Sequence, residues 1–115
     1  MDGTMGEPTS TIRVLHVDDE PEITDLAATF LEREDSRFTV ETATSASDGL
    51  DQLSDTMFDC IISDYDMPVQ NGIEFLKVVR EDYPDLPFIL YTGKGSEGVA
   101  SDAISAGVTD YLQKE

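Results

Sequence analysis

The chain has 115 residues, 39% of them hydrophobic, which is enough for one buried core and leaves no room for a second domain. Seven basic residues stand against 25 acidic ones, and the formal charge of −18 argues against direct binding of nucleic acid or of anionic membranes. No apolar run approaches the roughly 18 residues of a membrane span. No signal peptide is recognisable, so the expected location is the cytoplasm.

The start of the chain is predicted to be a flexible leader. Residues 1–11 are rich in Gly, Pro, Thr and Ser, and they show no hydrophobic periodicity. The folded domain is therefore predicted over residues 12–115.

The first structural unit is a strand, an acidic turn and a helix. Residues 12–17 have the apolar, β-branched content of a buried strand that ends at Asp18 and Asp19. Pro21 suits the first turn of a helix. His16, inside the strand, is interpreted as a packed residue rather than a catalytic one. The spacing predicts one buried helix face formed by Ile23, Leu26, Ala27, Phe30 and Leu31.

This unit is then repeated along the chain. Ser45 and Asp48 resemble a capping pair at the start of the second helix. Further strands are predicted at residues 38–42, 58–63, 87–91 and 110–113. Strands that alternate with helices predict an α/β fold with an open, five-stranded parallel sheet covered on both faces. No helix follows the last strand, so the chain is interpreted as part of a longer protein.

Polar residues follow the predicted strands, where the working groups of parallel sheets collect. They are Asp18, Asp19, Asp64, Asp66, Thr92 and Lys114. Two carboxylates about 4 Å apart repel by about 4 kcal/mol at an effective dielectric near 20, so such a cluster either keeps protons or binds a cation. Oxygen ligands suit Mg²⁺ or Mn²⁺. A metal beside a carboxylate, a hydroxyl and an ammonium suits phosphoryl transfer, with Asp64 as the nucleophile.

Four motifs in this order resemble the receiver domain of two-component response regulators. They are Val17-Asp18-Asp19-Glu20, Asp64-Tyr65-Asp66-Met67-Pro68 with Gly72, Thr92-Gly93, and Asp110-Tyr111-Leu112-Gln113-Lys114. The resemblance runs from about residue 12 to the end of the chain. It implies a flavodoxin-like, doubly wound fold with strand order 2-1-3-4-5, from which the fifth helix is missing here.

The resemblance also implies a metal site and a phosphoacceptor. Asp18, Asp19 and Asp64 would hold Mg²⁺, and the backbone carbonyl of Asp66 would complete the protein ligands. Asp64 would take the phosphoryl group from a phosphohistidine of a sensor histidine kinase or a phosphotransfer protein. The domain would thus catalyse its own phosphorylation and dephosphorylation.

Three further residues are assigned by the same resemblance. Thr92 would be the switch hydroxyl and, with Lys114, would contact the phosphoryl oxygens. Tyr111 matches the aromatic residue whose ring turns inward, altering the surface of the fourth helix and fifth strand that meets an output domain or protein. Glu115 follows Lys114 where relatives carry proline, so the lysine lacks that constraint.

Two other functions are weighed against this one. An aspartate-nucleophile phosphatase would need Asp-x-Asp directly after the first strand and a cap over its substrate, whereas the pair Asp64 and Asp66 follows the third strand. A pseudo-receiver would bind partners without phosphorylation, and the full set of polar residues argues against it.

The negative charge fits either an acidic docking surface or adaptation to a salt-rich cytoplasm, and its scatter over the sequence favours the second, as in a halophile. We expect the melting temperature to rise from low to multimolar KCl, because screening removes the self-repulsion of a domain with charge −18. Thermal melts followed by circular dichroism test this. A melting temperature that does not change with KCl would contradict the halophilic interpretation.

Overall fold

The computed structural model describes residues 11–93 and 97–113, and in these ranges five strands alternate with four helices. The elements are β1 (Ile12–Val17), α1 (Pro21–Glu34), β2 (Phe38–Ala43), α2 (Ala46–Asp55), β3 (Cys60–Asp64), α3 (Gly72–Asp82), β4 (Phe88–Thr92), α4 (Glu97–Ala106) and β5 (Asp110–Gln113). The strands are parallel in the order β2-β1-β3-β4-β5, which confirms the predicted fold class. The predicted leader, apart from Thr11, and Lys114 lie outside the described residues.

The main core lies between one face of the sheet and α2, α3 and α4. Leu15, Ile61 and Phe88 form one row across β1, β3 and β4, and all three are fully buried. The helices cover this row with Leu53, Phe75, Leu76, Val79 and Ala103. None of the described helices combines the length and the apolar character that crossing a membrane requires.

Helix α1 lies on the opposite face of the sheet. The chain moves one way across the sheet from β1 to β2 and the other way from β2 through β5, so right-handed crossovers place α1 apart from the other helices. It accordingly adds no side chain to the main core, and its one fully buried residue is Thr24.

The prediction that one apolar face of α1 is buried was wrong in part. Ile23, Leu26 and Phe30 are 39%, 70% and 61% exposed, whereas Ala27 and Leu31 are half-buried. The helix packs on β1 and β2, and no other described helix shares its side of the sheet. This flank of α1 therefore has no helical neighbour to cover it.

Helix α2 begins with the predicted cap, and α3 begins with a fuller one. The Ser45 hydroxyl accepts the Asp48 amide at 3.0 Å. At α3, Asn71 Oδ1 accepts the Glu74 amide and Glu74 Oε1 accepts the Asn71 amide, both at 2.9 Å. This reciprocal pair is a capping box, which fixes where the loop after β3 ends.

Arg80 connects three chain segments at the edge of the sheet where β4 begins. Its Nε donates to the carbonyl of Gly107 at 2.9 Å, and Nη1 donates to those of Tyr83 at 2.9 Å and Leu86 at 2.7 Å. Gly107 has a φ of +96°, a conformation that glycine adopts without steric cost. The end of α3, the following loop and the end of α4 are thereby held together.

Val69, in the loop between β3 and α3, has an unfavourable backbone conformation. Its φ is +71°, and its side chain is fully exposed. A β-branched residue is disfavoured in this region because its side chain crowds the backbone, and no burial offsets the cost here.

We expect Val69→Asn to raise the free energy of unfolding by about 1 kcal/mol, because asparagine tolerates a positive φ better than valine does. Urea unfolding followed by circular dichroism measures the change. Val78→Asn, in the middle of α3, is the control and should lower stability. Equal effects of the two substitutions would show that the strain at Val69 is not significant.

Candidate functional site

Three carboxylates meet at the carboxyl edge of the sheet. Asp18 and Asp19 directly follow β1, and Asp64 is the last residue of the adjacent strand β3. One oxygen from each lies within 4.8 Å of the others. Asp18 and Asp64 are buried, with 0% and 3% of their surfaces exposed, whereas Asp19 is exposed. Two buried acids beside a third form a strongly negative pocket that is open on one side.

Hydrogen-bond donors hold the two buried carboxylates. Asp18 Oδ1 accepts the Glu20 amide at 2.9 Å, and Asp18 Oδ2 accepts the Tyr91 hydroxyl at 2.6 Å. Asp64 Oδ1 accepts the Asp66 amide at 3.3 Å. These bonds disperse negative charge and set the direction of each carboxylate.

Tyr91 and His16 extend this network. Sequence reasoning missed Tyr91, and it interpreted His16 correctly as a packed residue without predicting this bond. Tyr91 pairs with Asp64 across β3 and β4, and its hydroxyl also lies 2.9 Å from Nε2 of the buried His16. Burial, followed by the bond to Asp18, raises the pKa of Tyr91. The sequence offered one signal for Tyr91, which directly precedes Thr92 at the end of a buried strand. Side chains alternate along a strand, so Tyr91 lies on the face of the sheet opposite to Thr92.

The three carboxylates suit a hard divalent cation. Mg²⁺ prefers oxygen ligands, and each of the three carboxylates would offer one oxygen that lies within 4.8 Å of the other two. The Asp66 carboxylate is exposed and does not belong to this cluster. The assignment of the Asp66 backbone carbonyl as a ligand stays a prediction.

The residues predicted to respond to the site lie on β4 and β5. Thr92 ends β4, one residue beyond the Asp64 and Tyr91 pair, and is 2% exposed. Tyr111 pairs with Leu90, and its ring packs against the main core. The Tyr111 hydroxyl is buried and has no hydrogen-bond partner within residues 11–93 and 97–113. Its ring is therefore turned inward, while its role as a switch stays a prediction.

Gly72, the first residue of α3, packs directly against the end of β3. Its amide donates to the Tyr65 carbonyl at 2.9 Å. A Cβ at Gly72 would collide with the Asp64 carbonyl oxygen, and it would lie 2.6 Å from Leu90 Cδ1 and 3.0 Å from Tyr65 Cα. Only glycine lets α3 begin this close to Asp64.

The acidic groups lie at the point where the order of the strands reverses, between β1 and β3. An open parallel sheet with its site at this switch point defines a doubly wound α/β domain. The family model described as the response regulator receiver domain matches residues 14–115. The chain therefore belongs to the response regulator receiver domain family of two-component systems.

Relatives of known identity agree with this assignment. The chain is 35% identical over 101 residues to the response regulator SaeR of Staphylococcus aureus, an alignment that covers 88% of this chain and 43% of SaeR. It is 31% identical over 103 residues to the probable C4-dicarboxylate response regulator DctR of Halalkalibacterium halodurans, covering 90% and 45%. The chain thus spans less than half the length of these two relatives.

Solved structures show the same fold. The chemotaxis protein CheY4 of Vibrio cholerae superposes with a TM-score of 0.85 at 33% identity, covering 90% of this chain and 87% of that one. A CheY-like receiver domain protein from Methanospirillum hungatei gives a TM-score of 0.85 at 30% identity, covering 91% and 82%.

We expect Gly72→Ala to lower the free energy of unfolding by about 2 kcal/mol, because the new methyl group meets backbone atoms that cannot move independently. Urea unfolding measures the loss. Gly49→Ala is the matched control. Its Cβ would lie 3.0 Å from Phe75 Cζ and 3.3 Å from Val17 Cγ2, which are side-chain rather than backbone atoms. A Gly72→Ala variant as stable as Gly49→Ala would contradict this account.

Proposed function

We propose that this domain accepts a phosphoryl group on Asp64 from a phosphohistidine of a sensor histidine kinase or a phosphotransfer protein. The proposal is carried by one observation: in a member of the receiver family, a buried Asp64 carboxylate lies beside those of Asp18 and Asp19 at the carboxyl edge of the sheet. A carboxylate that attacks an anionic donor must be held in position, and the repulsion between the two must be offset. The pocket offers hydrogen-bond donors for the first purpose and ligands for a cation for the second.

Asp18, Asp19 and Asp64 would hold Mg²⁺, or Mn²⁺ in its place, with the backbone carbonyl of Asp66 as a further ligand. When bound, the ion supplies positive charge that offsets the repulsion between the acidic pocket and the phosphoryl oxygens. The all-oxygen donor set supports this choice of metal.

The transfer itself needs few groups from the protein. An Asp64 carboxylate oxygen attacks phosphorus, the phosphorus–nitrogen bond of the donor breaks, and the electron pair goes to the imidazole nitrogen that leaves. The product is an acyl phosphate, which water returns to the carboxylate and inorganic phosphate. The Thr92 hydroxyl and the Lys114 ammonium would bond to the phosphoryl oxygens.

The result of the reaction would be a changed protein-binding surface. Thr92 ends β4, and Tyr111 lies on the neighbouring strand β5, with its ring against the core. Movement of the Thr92 hydroxyl toward a phosphoryl group would alter packing around Tyr111 and so the surface of α4 and β5. An output domain or protein would bind that surface.

We place the domain in a salt-rich cytoplasm, because its excess of acidic residues is spread over the whole sequence.

A phosphorylation-independent interaction module is the alternative. It would have no use for three carboxylates drawn together against their mutual repulsion, two of them buried. The arrangement supports a phosphoacceptor over a pseudo-receiver.

We expect incubation with acetyl phosphate and Mg²⁺ in concentrated KCl to add one phosphoryl group to the wild-type protein. The Asp64→Asn variant should gain none, because the nucleophilic oxygen is replaced by an amide. Intact-protein mass spectrometry measures the adduct, and a sample with chelator in place of Mg²⁺ tests the need for metal.

Asp82→Asn, at the far end of α3, removes the same charge away from the pocket and should be phosphorylated like the wild type. A folded wild-type protein without an adduct would favour the pseudo-receiver. An adduct on Asp64→Asn would place the acceptor elsewhere.

A further inference from the structure

A line of polar side chains runs from β1 through β4 to the acidic pocket. His16 is 3% exposed, and its Nε2 lies 2.9 Å from the Tyr91 hydroxyl. That hydroxyl in turn donates to Asp18 Oδ2 at 2.6 Å. The two rings are stacked, with centroids 5.7 Å apart and planes inclined by 20°. The contact therefore fixes both the position and the plane of the tyrosine ring.

The direction of each hydrogen bond follows from the number of protons. An ionised carboxylate can only accept, so the single hydroxyl proton of Tyr91 lies on the bond to Asp18. The Tyr91 oxygen must then accept from His16, which places a proton on Nε2 of the imidazole. A tyrosine phenol ordinarily carries its proton in the physiological range, so Tyr91 can donate to Asp18.

Asp18 is consequently held at both oxygens by different parts of the fold. The Glu20 amide binds Oδ1 from the turn before α1, and Tyr91 binds Oδ2 from β4. A carboxylate with one donor on each oxygen cannot rotate without breaking a bond. Each oxygen still keeps a lone pair that can face a cation.

We propose that Tyr91 is a positioning residue for the metal site, and that His16 acts through Tyr91 to hold the Asp18 carboxylate in its ligating orientation. The inference rests on the proposed function insofar as Asp18 binds Mg²⁺. Groups that orient a metal ligand typically contribute 10- to 100-fold to metal affinity. The adjacent residue Thr92 belongs to the same strand, so β4 supplies both a ligand holder and the predicted switch hydroxyl.

Isothermal titration with Mg²⁺ of the metal-free protein in KCl tests the role of Tyr91 without any phosphodonor. We expect Tyr91→Phe to raise the dissociation constant about tenfold. Tyr83→Phe is the matched control, because the Tyr83 hydroxyl is half-buried and donates to the Leu53 carbonyl at 3.1 Å, outside the pocket. This control should bind Mg²⁺ within twofold of the wild type. Equal affinity of Tyr91→Phe and the wild type, or equal losses in both variants, would overturn the proposal.

A double-mutant cycle tests the role of His16. His16→Leu should weaken Mg²⁺ binding less than Tyr91→Phe does, and it should cause no further loss when Tyr91 is already phenylalanine. An equal loss in both backgrounds would mean that the imidazole acts on the pocket directly, against the proposal. If the wild type binds Mg²⁺ and only the cycle fails, the proposed function stands. If the wild type binds no Mg²⁺, both fail.

Discussion

The repulsion among three carboxylates is the constraint around which this domain is arranged. Asp18, Asp19 and Asp64 would each prefer water, yet two of them are buried at the carboxyl edge of the sheet. The fold counters this with donors from three segments: an amide before α1, an amide after β3 and the hydroxyl of Tyr91. Backbone amides serve well here because folding already fixes their direction. The pocket is thus prepared for positive charge before any arrives.

Topology explains why these groups meet. The chain leaves β1 in one direction and later crosses it to form β3, so the ends of these adjacent strands open into one crevice. The same reversal separates α1 from the other helices and leaves the flank around Phe30 exposed. One feature of the chain path therefore accounts both for the site and for this exposed apolar flank of α1.

The strands and the grouping of the acids were predictable, because apolar runs and strand-end carboxylates are local signals. The exposed flank of α1 was not, because periodicity shows which residues share a helix face and cannot show what covers it. Tyr91, and the bond that the packed His16 makes with it, were missed for a similar reason: each residue is unremarkable within its own strand. Their bond depends on a pairing of β1, β3 and β4 that no short stretch of sequence encodes.

The three hydrogen bonds of Arg80 restrict how α4 can move. They fasten Gly107, just after α4, to the end of α3 and the loop before β4, on the side of the molecule away from the carboxylates. The other end of α4 follows Thr92. If phosphorylation displaced Thr92 as proposed, a helix held at its Gly107 end would turn about that end rather than shift as a whole. The displacement would then be largest at the end of α4 that follows Thr92 and smallest at the end beside Arg80.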